Sequence, residues 1–145
     1  MPQEIDIKAR HRAREYAIQA LYQWSLTGQS LCEIEAQFIT VSADKRVEHD
    51  YLRELIQLIP KHLADLDNEF SPFISRQVKD IDPIELSILR LATYELRYRI
   101  DIPYLVVIDE ALELTKTFGS VEGFKFVNGV LDKTAKHLRT LEQLR

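Results

Sequence analysis

Between residues 8 and 14 the chain places Lys8, Arg10, Arg12 and Arg14 on alternate positions, with His11 among them and no acid again until Glu15. Cations so closely spaced can neutralise successive phosphates, although a charge run at a helix start is more often simply solvated. Positive charge there opposes the helix dipole, so the placement is locally unfavourable and gives weight to an anion-binding arm. A second group lies in "FKFVNGVLDK", residues 124 to 133, where Lys125 precedes Phe126 and Lys133 follows. A ring flanked by cations is the kind of surface on which unpaired RNA bases stack. The whole chain carries a net charge of −4 with a pI near 5.6, which argues against indiscriminate binding to nucleic acid. The expectation is an acidic protein with one basic, aromatic-bearing face.

Other chemistries find little support. Asp109, Glu110 and Glu113 set carboxylates on one helix face, but no Glu-x-x-His pair accompanies them as in a carboxylate-bridged metal bundle, and Lys116 offers Glu113 an ordinary ion pair. The histidines at 11, 49, 62 and 137 show no ligand spacing. Cys32 is the single cysteine, so it can form no intramolecular disulfide, and it reads as an inert packing or surface residue in a reducing compartment. Neither a phosphate-cradling glycine loop nor a nucleophile motif is present. No catalytic residue, metal site or cofactor is expected.

These residues must be positioned by helices. A chain of 145 residues, 46% hydrophobic and 29% charged, fits one domain, residues 1–145, with a sizeable core. Its N-terminus lacks a signal-peptide core and its longest apolar run, YLVVI, is far below membrane-spanning length, so a cytoplasmic protein is expected. Turn residues are scarce. Ala13, Ala17, Ala20, Leu21 and Trp24 form one apolar stripe of a helix starting near Arg10 and stopped by Gly28. An amphipathic segment follows over Ser30 to Phe38. Val47, Tyr51, Leu55, Leu58 and Ile59 continue the helical period until Pro60 forces a kink or break before Leu63, Leu66 and Phe70. Asp82, Pro83 and Glu85 supply a cap, a pre-set first position and a first-turn acid for a helix reaching about Tyr98. After Asp101-Ile102-Pro103, Val107, Ala111, Leu114 and Phe118 share a face before Gly119, and Ser120 opens the last helix.

Asn128-Gly129 is the strongest short signal for a β-hairpin turn. Yet Phe124, Val127, Leu131, Ala135 and Leu138 hold helical phase straight through it, so a continuous helix is expected and the fold class is an all-α bundle. Gly129 inside a helix costs roughly 1 kcal/mol against Ala, which suggests that another backbone or a ligand comes close. Phe126 would point nearly opposite that stripe, on a face shared with Lys133 and His137. Either this helix buries both faces, or Phe126 is an exposed functional aromatic.

The stretches ARHRAREYAIQALYQW, DPIELSILRLATYEL, DIPYLVVIDEALELTKTFG and KFVNGVLDK, in that order and at those separations, resemble the signature blocks of the bacterial NusB antitermination family. The resemblance covers essentially the whole chain, with residues 30 to 80 as the variable middle. It implies a helical bundle of about seven helices in two packed subdomains and a non-enzymatic role. It implies pairing with the ribosomal small-subunit protein NusE, and binding of boxA RNA in nascent ribosomal RNA leaders. Other Nus factors and RNA polymerase would be reached through that complex. The family's RNA-facing arm maps onto Arg10, His11, Arg12 and Arg14, its Lys-Phe pair onto Lys125 and Phe126, and its NusE-facing positions onto Tyr22 and Glu85.

Two departures stand out. This chain has Arg-His-Arg where consecutive arginines are common, and an imidazole holds a phosphate strongly only when protonated. It has Glu122-Gly123-Phe124 where Asp-Ser-His is common, which puts in doubt any RNA contact borrowed for those positions. The alternative function is a helical protein-interaction module in which Arg10 to Arg14 meet an acidic protein instead of RNA. A related helical domain precedes the catalytic part of some ribosomal RNA cytosine methyltransferases, but 145 residues leave no room for a cofactor-binding α/β domain.

Overall fold

The structure, a computed structural model, describes residues 5–143. Within them lie eight α-helices and no strand: α1 (Ile7–Thr27), α2 (Leu31–Ser42), α3 (His49–Lys61), α4 (Leu63–Phe70), α5 (Pro83–Tyr98), α6 (Tyr104–Phe118), α7 (Val121–Leu138) and the single turn α8 (Thr140–Gln143). Two 3-10 turns, Ser71–Phe73 and Val78–Asp80, join α4 to α5. The all-α expectation holds, with α8 added to the helices that periodicity reveals. No described helix is long and apolar enough to cross a membrane.

Helices α1 to α3 form one compact unit, residues 1–61, and α4 to α8 form another, residues 62–145. In the first, α1 starts a turn earlier than its apolar stripe suggests, because Asp6 caps it by accepting from the Ala9 amide at 3.1 Å. Ala13, Ala17, Ala20 and Leu21 are buried as the stripe requires, and Gly28 stops the helix at φ +68°, a left-handed conformation that suits glycine. Ser30 caps α2 through the Glu33 amide. Pro60 sits in the last turn of α3, and the helix breaks at His62 before α4 begins.

In the second unit α5 is central. Ser87, Ile88, Leu89, Leu91, Ala92, Thr93, Tyr94, Glu95 and Leu96 are all buried, and α4, α6 and α7 pack around them. Its cap forms as the sequence indicates, with Asp82 accepting from the Ile84 and Glu85 amides. The connector after α5 is held by Arg139. Its guanidinium donates to the backbone oxygens of Leu96 (2.7 Å), Ile102 (3.0 Å), Glu95 (3.2 Å) and Arg99 (3.1 Å), and to the Glu142 carboxylate at 2.9 Å. Glu142 in turn accepts from the Tyr104 amide, the first of α6.

Helix α7 runs unbroken through Asn128-Gly129, as its spacing demands. Of the two reasons suggested for Gly129, close approach of another backbone does not hold. The residue is exposed, and among the described residues outside its own helix turn a Cβ there would meet no atom within 4 Å, so no other described element approaches it closely. Closer packing surrounds Gly123, where a Cβ would lie 2.8 Å from Oε2 of Glu85, and Gly119, where it would lie 3.0 Å from the Thr115 backbone oxygen. With open space and helical backbone, Gly129→Ala is expected to stabilise the protein by about 0.5–1 kcal/mol, read as a higher melting temperature. A lower melting temperature would mean that the glycine answers to a constraint outside open helix.

Candidate nucleic-acid interface

In the first unit the basic arm divides into committed and uncommitted cations. Arg10 makes a two-pronged ion pair with Glu48, Nε to Oε2 at 2.9 Å and Nη2 to Oε1 at 3.0 Å, and its guanidinium lies 4.9 Å from the centre of the Tyr51 ring. Arg14 is 2% exposed and lies over the same ring at 5.8 Å. From sequence, Arg14 is expected to present its charge to phosphates; here it falls on the buried side of α1, one turn from Arg10, and packs on Tyr51 of α3. His11 is half-exposed and lies 3.7 Å from the Glu15 carboxylate, its i+4 neighbour. Arg12 and Lys8 are exposed, and among the described residues neither side chain makes an ion pair. The cap residue Asp6 is engaged by Arg46 at 2.8 Å, and that hydrogen bond, with the Ala9 amide second, holds its carboxyl below the usual range.

In the second unit Phe126 is half-buried. Val130 and Thr134 widen the buried arc of α7 beyond the Val127, Leu131 and Ala135 line, so Phe126 borders the packed face instead of lying opposite it. Neither all-core nor fully projecting describes it. The guanidinium of Arg76, from the loop between the two 3-10 turns, covers the ring at 4.3 Å from its centroid. Lys125 is exposed on the outer face, and Lys133 is exposed on the side of Phe126.

The expected partner residues are both partly covered. Tyr22 is half-exposed on α1. Glu85 is half-buried, with its carboxylate against the first turn of α7 at Gly123. Its pKa is raised, chiefly by burial, then by the charge of Asp82, with Arg76 pulling the other way. Sequence reasoning missed Glu48, Arg76 and Arg139. Their partners lie 38 residues away or more for Glu48, Arg76 and the Arg139–Glu95 bond, beyond any local spacing rule.

The described residues form an all-helical protein with a cationic first helix and a cation-covered ring on its last long helix, and among them no group of three or more His, Cys, Asp or Glu is arranged to hold a metal ion. Residues 11–136 match the model of the NusB family. The chain is 49% identical to the transcription antitermination protein NusB of Idiomarina loihiensis over 93% of its own length and 97% of that relative. It is 44% identical to that of Legionella pneumophila strain Corby, over 94% and 92%. Among solved structures, T. maritima NusB superposes with a TM-score of 0.74 at 30% identity, covering 94% of this chain and 93% of that one. A chain of a crystal structure of antitermination factors NusB and NusE with double-stranded RNA superposes with a TM-score of 0.81 at 25% identity, covering 90% and 98%. The protein is a member of the NusB family.

Two outcomes follow from the placement of these side chains. Arg14→Gln should lower stability by about 2–4 kcal/mol, whereas Arg12→Gln should stay within about 0.5 kcal/mol, both read by denaturant melts. Equal, small effects would return Arg14 to the surface. For Glu85 the sign is set by its raised folded pKa: ionisation costs stability above that pKa, and protonation relieves the cost as pH falls. Glu85→Gln should therefore match or exceed the parent in stability at pH 7. Its lead should shrink as pH drops through the raised pKa toward the ordinary carboxyl range, and a lead that grows in that window would contradict the assignment.

Proposed function

We propose that this protein is a non-catalytic adaptor that pairs with NusE and binds boxA RNA of nascent ribosomal RNA leaders, so that other Nus factors and RNA polymerase are reached through the assembled complex. Residues 1–145 act as one RNA-binding domain working in the cytoplasm, where transcripts are made. The observation that carries the reading is the superposition, over 90% of this chain, on a NusB-type chain found with NusE and RNA. The local chemistry agrees with it. Lys8 and Arg12 offer uncommitted charge, and His11 adds charge when protonated. Arg10 keeps part of its guanidinium at the surface beside Glu48, where it can meet a phosphate only by sharing or leaving that pair. Arg14 supports the arm from beneath. Lys125 and Phe126 supply charge and a ring edge on α7, and the half-exposed Tyr22 and Glu85 are the contacts assigned to NusE, since surface aromatics are frequent interface anchors.

The RNA beside the structural neighbour is double-stranded, which favours a second reading in which duplex RNA, held by backbone contacts, is the ligand. Competition of a labelled single-stranded boxA RNA with unlabelled duplex of the same sequence separates the two. Single-strand preference supports the first reading and duplex preference the second.

The arm is tested by replacing Lys8 and Arg12 with Gln. RNA affinity should fall and the logarithmic salt slope should flatten by up to about 0.7 per lost contact, with NusE binding near normal. An unchanged slope would favour a protein-only interaction module. Tyr22→Ala should weaken NusE capture with little change in melting temperature, and a collapse of stability would make Tyr22 a core residue.

A further inference from the structure

The Phe126 ring, the strongest aromatic candidate for base stacking, is not bare. Arg76 lies over it at 4.3 Å, within the range of a cation–π contact, and Arg76 itself is exposed. A base approaching this face of the ring meets the guanidinium first. Two arrangements follow. Either Arg76 is a cover that must swing away, or it is the outer layer of the platform, with its own far plane offered to the ligand.

Three features favour the second. Guanidinium planes stack on nucleic-acid bases as aromatic rings do, and add a positive charge that a bare ring lacks. Phe126 is half-buried at the border of the packed face of α7, so much of its hydrocarbon is already used in packing and its outward area is small. A planar group resting on it extends that area outward. Finally, the charge of Arg76 also acts on the Glu85 carboxylate, which favours the guanidinium staying near the ring. Swinging away would forfeit the contact with the ring.

We propose that Arg76 is a further RNA-contacting residue, its guanidinium forming with Phe126 a two-layer platform on which an unpaired base stacks. The inference rests on the RNA-binding reading above and adds a residue from the loop before α5, outside both basic segments that the sequence marks.

The test is a titration of short labelled boxA RNA, with NusE present, against the parent and the variants Arg76→Gln, Arg76→Lys and Phe126→Ala, with a thermal melt of each. Arg76 is exposed, so its variants should melt near the parent. Arg76→Gln should weaken RNA binding about fivefold or more, the lower range of a single base stack. Arg76→Lys keeps the charge and removes the plane, so it should lose a similar factor while the salt slope stays at the parent value. Unchanged affinity in both Arg76 variants, parent-like binding by Arg76→Lys alone, or tighter binding once Arg76 is removed would each overturn the platform. Tighter binding would identify a cover. Phe126→Ala separates this from the broader reading: if it binds RNA like the parent, the ring is not part of any RNA site and the reading of this surface fails. If it binds weakly while the Arg76 variants bind like the parent, only the platform fails.

Discussion

A single buried guanidinium organises the second helical unit. The end of α5 leaves carbonyls without helical partners, and the chain must then turn within a few residues into α6. Arg139 meets the oxygens of Glu95, Leu96, Arg99 and Ile102 at once, which only a planar group with five donors can do. Its charge is answered by Glu142, which also caps the first amide of α6. The side chain is 6% exposed, so removing it would bury unpaired carbonyls and strand a carboxylate. The contact ties the end of α7 to the end of α5 and to the connector that leads into α6.

The elements of the fold were legible because their signals are local. Asp82-Pro83 and Ser120 cap helices within three residues, Gly28 ends one, and the 3.6-residue period survives Asn128-Gly129. The start of α1 was misplaced because Asp6 caps it ahead of the apolar stripe by which it was recognised. The backbone approach expected at Gly129 is absent among the described residues for a different reason. Glycine in a helix signals only that a side chain is not required, and whether something fills the space is a property of the tertiary surroundings. Arg139 was illegible. Nothing in LRTLEQ says that one arginine will turn inward to four carbonyls some 40 residues earlier in the chain.

The candidate site was half legible for a related reason. Counting cations finds a basic arm, but a count cannot say which charges are already spent. On α1, positions 10 and 14 share a face and position 12 faces away from it, so geometry alone separates Arg10 and Arg14 from Arg12 once α3 is known to lie on that face. Glu48 and Tyr51 then take up both guanidinium groups. A cluster that reads as uniform in sequence becomes a layered one, with cations inside that fix the helix and cations outside that can meet a ligand.

That layering limits how the proposed RNA recognition could work. Each phosphate contact contributes a sequence-independent, salt-sensitive increment, and an acidic chain of net charge −4 with few uncommitted cations on its arm gains little of it. Selectivity must then come from contacts that charge screening does not weaken: stacking, shape and a second protein surface. The half-buried ring of Phe126 under Arg76 is suited to the first of these, since its packing fixes the ring before any ligand arrives and a pre-set surface loses less entropy on binding. In the proposed complex the protein partner would supply the last. A weakly charged adaptor that binds RNA well only when a second subunit completes the surface would ignore the bulk of cellular RNA, and the negative net charge is what makes that discrimination possible.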